Sequence, residues 1–174
     1  SSFAGAPFAL SNPNVTLTDV DGDGLVDLVN LRGADAQWAR NAGDRFEPPQ
    51  ALEGPDETLA SGRLRLMDIN GDARADLLVQ RGVWIPWLNQ DGGYREHTPI
   101  DGSDGLSLGG AQVFADLDGD GIAELLRSSG NGLAIFQGEA GALGEERLVD
   151  LPPELSGYSL QDARLRIQDI TGDG

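Results

Sequence analysis

One pattern recurs along this chain and limits what it can become: an aspartate-rich turn flanked by short apolar segments. It reads DVDGDGLVD from Asp19, DINGDARAD from Asp68 and DLDGDGIAE from Asp116, and its opening recurs as DITGDG from Asp169. The first aspartates are 49, 48 and 53 residues apart. A self-similar period of this length is the mark of a repeat architecture, in which each unit is one supersecondary element that needs neighbours to bury its faces.

The residues between the turns repeat as well. An apolar alternating segment precedes each turn: Val15-Thr16-Leu17, Leu64-Arg65-Leu66, Val113-Phe114-Ala115 and Leu165-Arg166-Ile167. A short apolar run follows the turn, as in Leu25-Val26-Asp27-Leu28-Val29. A third segment carries Trp38, Trp84 with Trp87, or Ile135-Phe136, and a fourth begins at Phe46, Tyr94 or near Leu143. Turns rich in Gly, Asn and Asp separate the last two, such as Asn41–Asp44 and Asn89–Gly93. Alternation and turn chemistry favour strands, and no helical spacing of apolar residues is sustained.

Four short strands per repeat predict an all-β chain, a β-propeller with one blade per repeat. A sandwich or a stacked array of β units is the competing arrangement. The phase predicts that residues 1–10 are the last strand of a preceding blade. Blades are expected at 11–54, 55–101 and 102–154, and 155–174 is expected to start the next. The result is one truncated propeller domain, with three complete blades and partial blades at both ends. Such a piece of a longer protein would present open blade faces that favour self-association.

The turns carry the chemistry. Calcium is a hard cation that takes six to eight oxygens, and alternate residues of a tight loop can aim side-chain oxygens at one centre. In the first loop the expected ligands are Asp19, Asp21, Asp23 and Asp27, with the carbonyl of Leu25. In the third they are Asp116, Asp118, Asp120 and Glu124, with the carbonyl of Ile122. The second offers Asp68, Asn70, Asp72 and Asp76, with Arg74 at the seventh place. There Ala73 replaces the glycine that a left-handed turn favours, and Asn70 replaces a charge, so this loop is expected to bind most weakly. Asp169, Thr171 and Asp173 begin a fourth. These loops hold 13 of the chain's 29 acids, so without a cation several carboxylates would crowd each turn. EF-hands and dockerins use similar loops but follow them with a helix, and EF-hands want Glu at position 12. Here Asn30, Val79 and Arg127 hold that place, between strand-like flanks.

A net charge of −17 argues against nucleic acid and anionic membranes as partners. The absence of cysteine excludes disulfides, cysteine-ligated zinc and thiol nucleophiles. No apolar run is long enough for a membrane-spanning helix, so membrane insertion is not expected. Ser1–Ala4 lacks the basic start of a signal peptide.

Asp-rich loops at this spacing between strands resemble FG-GAP/VCBS repeats, which build the propellers of integrin α chains and of many bacterial surface and secreted proteins. The stretches from Trp38 to Phe46 and from Leu165 to Gly174 are also similar to repeats in SpvB-type virulence proteins and in the B component of insecticidal toxin complexes. That likeness implies a calcium-stabilised, non-catalytic propeller that docks a protein partner, in a secreted or extracellular bacterial setting. In the toxin family the propeller docks the B component onto a pore-forming partner.

Other functions have thinner support. The single histidine, His97, falls on a surface strand, and no Gly-x-Ser-x-Gly elbow is present. Trp38 and Trp87 each lie 11 residues after the ninth-position acid of their loop, which predicts equivalent packing places between blades. Trp84 breaks that register and is the candidate for an exposed ligand contact. This leaves a glycan-binding or adhesion propeller, or the propeller of a carbohydrate-active enzyme, as the alternatives.

Overall fold

The computed structural model describes residues 6–72, 74–90, 92–104, 106, 112–120, 122–130, 132–139, 142–155, 158–160 and 162. Among the described residues, twelve strands form three separate four-stranded antiparallel sheets, each in simple sequence order. The first holds β1 (Val15–Thr18), β2 (Asp27–Asn30), β3 (Gln37–Ala39) and β4 (Gln50–Ala51). The second holds β5 (Leu64–Met67), β6 (Asp76–Gln80), β7 (Trp84–Gln90) and β8 (Gly93–Glu96). The third holds β9 (Gln112–Ala115), β10 (Glu124–Ser129), β11 (Gly132–Glu139) and β12 (Ala142–Asp150). The only helices among the described residues are three single 3-10 turns. The expected all-β, four-stranded blade is what each repeat forms.

Alternate residues of a strand point to opposite faces, so each blade has two apolar faces to cover. Val29 and Trp38, opposite each other on β2 and β3, face the second blade. They pack there against Leu64, Leu77 and Val79. On the other side of the second blade, Leu78 and Trp84 meet Leu125, with Phe114 and Phe136 of the third blade beside them. A third cluster, Val15, Leu28 and Ala39, covers the outer face of the first blade together with Phe8 and Phe46. The core is therefore a set of slabs between sheets rather than one central mass.

The links between blades are hydrogen-bonded across the gap. Leu59 donates its N–H to the Leu31 carbonyl at 3.0 Å, and Tyr94 donates to the Glu53 carbonyl at 2.8 Å. Arg81 adds a two-pronged ion pair to Glu57 at 2.7 and 2.9 Å.

Residues 6–10 form bends and a turn, not the strand expected of them. No other strand of that blade lies among the described residues to give them a ladder, and Phe8 packs instead onto the outer face of the first blade.

Candidate metal centres

Each described loop leaves the first strand of its sheet and returns as the second. The ninth-position acid stands at the start of that second strand and is fully buried: Asp27 and Asp76 are 0 % exposed and Glu124 is 1 %. Both oxygens of each are occupied by N–H groups. Asp27 accepts from Val20 at 2.9 Å and from Asn41 at 2.8 Å. Asp76 accepts from Ile69 at 3.0 Å and from Asn89 at 2.7 Å. Glu124 accepts from Leu117 at 2.7 Å and from Gly138 at 3.3 Å. One carboxylate thus ties the start of the loop to the end of the third strand, satisfying two buried donors that the ladder leaves over.

Glu124 is one methylene longer than aspartate, and the third blade accommodates it locally. The bond from Gly138 is long, and the Gln137 side-chain amide adds a second donor to the same oxygen at 3.0 Å. Gly138 must be glycine, because a Cβ there would sit 2.7 Å from the Ala123 carbonyl oxygen and 2.8 Å from Ile122.

The exposed aspartates order their own turns. Asp19 accepts from Gly22 and Gly24, both at 2.8 Å, and these glycines hold φ of 77° and 83°. Those left-handed values suit glycine and strain other residues. Asp21 accepts from Asp23 at 3.2 Å, and Asp23 from Leu25 at 2.9 Å. The third loop repeats this, with Asp116 accepting from Gly119 at 2.8 Å, Asp118 from Asp120 at 3.3 Å and Asp120 from Ile122 at 2.8 Å.

Oxygens of Asp19, Asp21 and Asp27 lie within 4.8 Å of one another, as do those of Asp116, Asp118 and Glu124. No such group of three forms at the second loop among the described residues. There Asn70 turns its amide N–H onto Asp72 at 3.2 Å, so a donor stands where another oxygen was expected. Asp68 accepts from Gly71 at 2.8 Å, and Asp72 accepts from Arg74 at 2.9 Å. The seventh-position residues Leu25, Arg74 and Ile122 all contribute an N–H to the fifth-position aspartate. Asp169, Thr171 and Asp173 lie outside the described residues.

These donor sets fit a hard divalent cation. They are oxygen-only, rich in charge and half-exposed, as calcium loops are. Burial pushes the Asp76 carboxyl up to about 6, against the pull of its bonds from Asn89 and Ile69, and the Asp72 and Asp68 charges raise it further. Burial raises Asp27 too, with Asp21 and Asp19 adding to it. A cation beside these groups would offset the smaller part of the rise, the part that the neighbouring loop carboxylates add to burial.

Two side chains that the sequence reading passed over reach into the loops. Arg40, at the end of the third strand of the first blade, donates Nε to Asp21 at 2.6 Å and Nη2 to Asp23 at 2.7 Å. Hydrogen bonds to those two carboxylates hold its guanidinium above its usual range. Gln137, at the same place in the third blade, donates to Asp118 at 2.8 Å as well as to Glu124. A signal existed in the spacing: Arg40 and Gln137 each lie 13 residues after the ninth-position acid of their loop. Arg74 also leaves its own turn, and its Nε would lie 2.9 Å from a Cβ at Gly22. The first two loops therefore sit side by side, and Asn89 joins them by donating its side-chain N–H to the Val20 carbonyl at 2.8 Å.

The expectation that Trp84 is an exposed contact is overturned. It is 0 % exposed, its indole N–H donates to the Leu106 carbonyl at 3.0 Å, and its ring meets Phe114 edge-on at 5.2 Å. It is a wedge between the second and third blades. Trp38 and Trp87 are not equivalent either. Leu28 pairs with Ala39 whereas Leu77 pairs with Trp87, so the second hairpin is one residue shorter and its tryptophan points to the opposite face. Both tryptophans still pack in the interface between the first two blades.

Comparison with known proteins agrees with this layout. The family model described as FG-GAP-like repeat matches residues 19–79, which run from the first loop through β6. The second and third sheets repeat the same plan of loop, buried acid and four strands. Among solved structures, a chain of the Photorhabdus luminescens Tc holotoxin pore matches 86 % of this protein with a TM-score of 0.70 at 25 % identity. A TcdB2-TccC3 structure matches 67 % with a TM-score of 0.56 at 26 % identity. This protein spans only 7 % and 6 % of those chains. An Agrocybe aegerita lectin recognising terminal N-acetylglucosamine matches 83 % with a TM-score of 0.59. At 20 % identity and with 40 % of the lectin covered, that likeness is one of fold. No curated protein matches the chain. The resemblance to toxin-complex propellers read from the sequence is thus met in the structure.

Proposed function

We propose that this chain is a calcium-stabilised, non-catalytic propeller segment that serves as a protein-docking part of a secreted bacterial toxin complex. The observation that carries the reading is the likeness of 86 % of the chain to a Tc holotoxin pore chain. The FG-GAP-like repeat and its oxygen-only loops support the calcium part. Asp19, Asp21 and Asp27 would hold one ion, and Asp116, Asp118 and Glu124 another. Asp23, Asp120 and the carbonyls of Leu25 and Ile122 complete the proposed sets. The ion would supply charge neutralisation and cross-link a turn, with no chemical step. Burial of Trp84 removes the one side chain that pointed to a glycan site.

Titration of the chelated protein with calcium, followed by calorimetry and thermal melting, tests the metal part. Saturable heat and a higher melting temperature are expected. At 100 times the dissociation constant, each site adds about 2.7 kcal/mol. No heat and no shift would leave the aspartates as turn formers. Co-elution with the pore-forming component of a toxin complex during size-exclusion tests the docking part. A chain that elutes alone at micromolar concentrations of both would sink it.

A further inference from the structure

We propose that Arg40 is a tethered counter-cation of the first loop, which must withdraw before a divalent ion can occupy that loop. The inference rests on the calcium reading above and adds to it a residue that sets the response of one site.

The loop aspartates divide their oxygens between two tasks. Asp21 and Asp23 each spend one oxygen, Oδ1, on a backbone N–H of their own turn. Their second oxygens, Oδ2, are the ones that Arg40 binds, at 2.6 and 2.7 Å. These are the oxygens that remain for an incoming ion. Arginine suits the task because its planar fork spans two carboxylates and stays charged at all working pH values. The Arg40 side chain is 40 % exposed, so it can swing outward on its flexible stem without opening the core. Arg74 also leans on this loop at Gly22, but the ion pairs to Asp21 and Asp23 are those of Arg40.

The other blades show what the position does when it is not arginine. Arg40, Leu88 and Gln137 each precede the residue whose N–H meets the ninth-position acid. Gln137 reaches the third loop as Arg40 reaches the first, yet it brings no charge. A neutral amide can also turn its oxygen toward a cation, which a guanidinium cannot do. Leu88 is instead part of the apolar packing between the second and third blades. The first loop is therefore the better neutralised without calcium, and the third the readier to take it. Calcium at the first loop has to compete with a charge that is always present, so its apparent affinity is the intrinsic affinity multiplied by the fraction of time Arg40 is withdrawn.

The test is a calcium titration of the whole chain followed by NMR of backbone amides. Gly22 and Gly24 donate to Asp19 and report the first loop, and Gly119 donates to Asp116 and reports the third. Arg40→Gln should lower the calcium midpoint at Gly22 and Gly24 by about three- to tenfold, the range set by two half-exposed ion pairs. The midpoint at Gly119 should not move. In chelator the same variant should melt lower than the parent, because the loop has lost its internal cation. Arg45→Gln removes an equal charge from a side chain paired with Asp44, and should leave the Gly22 midpoint unchanged. If Gly119 titrates but Arg40→Gln leaves Gly22 and Gly24 unmoved, the Arg40 proposal is wrong and the calcium reading stands. The Arg40 proposal fails equally if Arg45→Gln shifts those midpoints as far as Arg40→Gln does. If none of these amides responds to calcium in either protein, both ideas fail.

Discussion

Replacing Trp84 by alanine is expected to destabilise the chain by about 3–5 kcal/mol, the usual cost of removing a buried aromatic from a packed core. For a domain of this size that is a fall in melting temperature on the order of 10 °C. The ring is wholly buried and meets Phe114, and its indole N–H holds the Leu106 carbonyl. Alanine would leave both a cavity between two blades and a carbonyl without its donor. Thermal and urea melting of the variant check this. A change within about 0.5 kcal/mol, as expected of an exposed residue, would mean that the ring does not wedge the blades apart.

The second large effect is expected at the ninth-position acid. Asp76→Ala removes one carboxylate that serves the N–H groups of both Ile69 and Asn89. Each buried donor left unsatisfied costs about 1–3 kcal/mol, so the loss of both partners is expected to cost about 2–6 kcal/mol in chelator. Asp72→Ala, on the exposed side of the same loop, should cost less than about 1 kcal/mol. Comparing the two by denaturant melting separates a structural bracket from a surface charge. Equal effects would show that Asp76 acts only through its charge. Both variants are compared in chelator, so no bound cation contributes to the contrast.

The ninth-position acid was legible in the sequence as a ligand but not as a bracket. Its spacing from the first aspartate is local and visible. Its bond to Asn41, Asn89 or Gly138 spans 13 or 14 residues and depends on where the third strand passes. The same limit explains Trp84. An 11-residue count from the loop acid assigned Trp87 the place of Trp38, and that left Trp84 as the odd one out. A hairpin shorter by one residue reverses which face each side chain meets, because the side-chain period along a strand is two.

The repeat, the strands and the turns could be read from residue order alone. They follow from alternation, from glycine at left-handed positions and from short-range carboxylate-to-amide bonds, all of which operate within about ten residues. Residue order also singled out the loops whose oxygens cluster, Asp19 with Asp21 and Asp116 with Asp118. What fills each loop and each gap between blades emerged only in three dimensions. Arg40 reaches Asp21 and Asp23 from 19 and 17 residues away, and Asn89 reaches Val20 from 69 residues away. Those partners are chosen by how sheets stack, and stacking is set by the summed packing of two faces rather than by any one residue's neighbours in the chain.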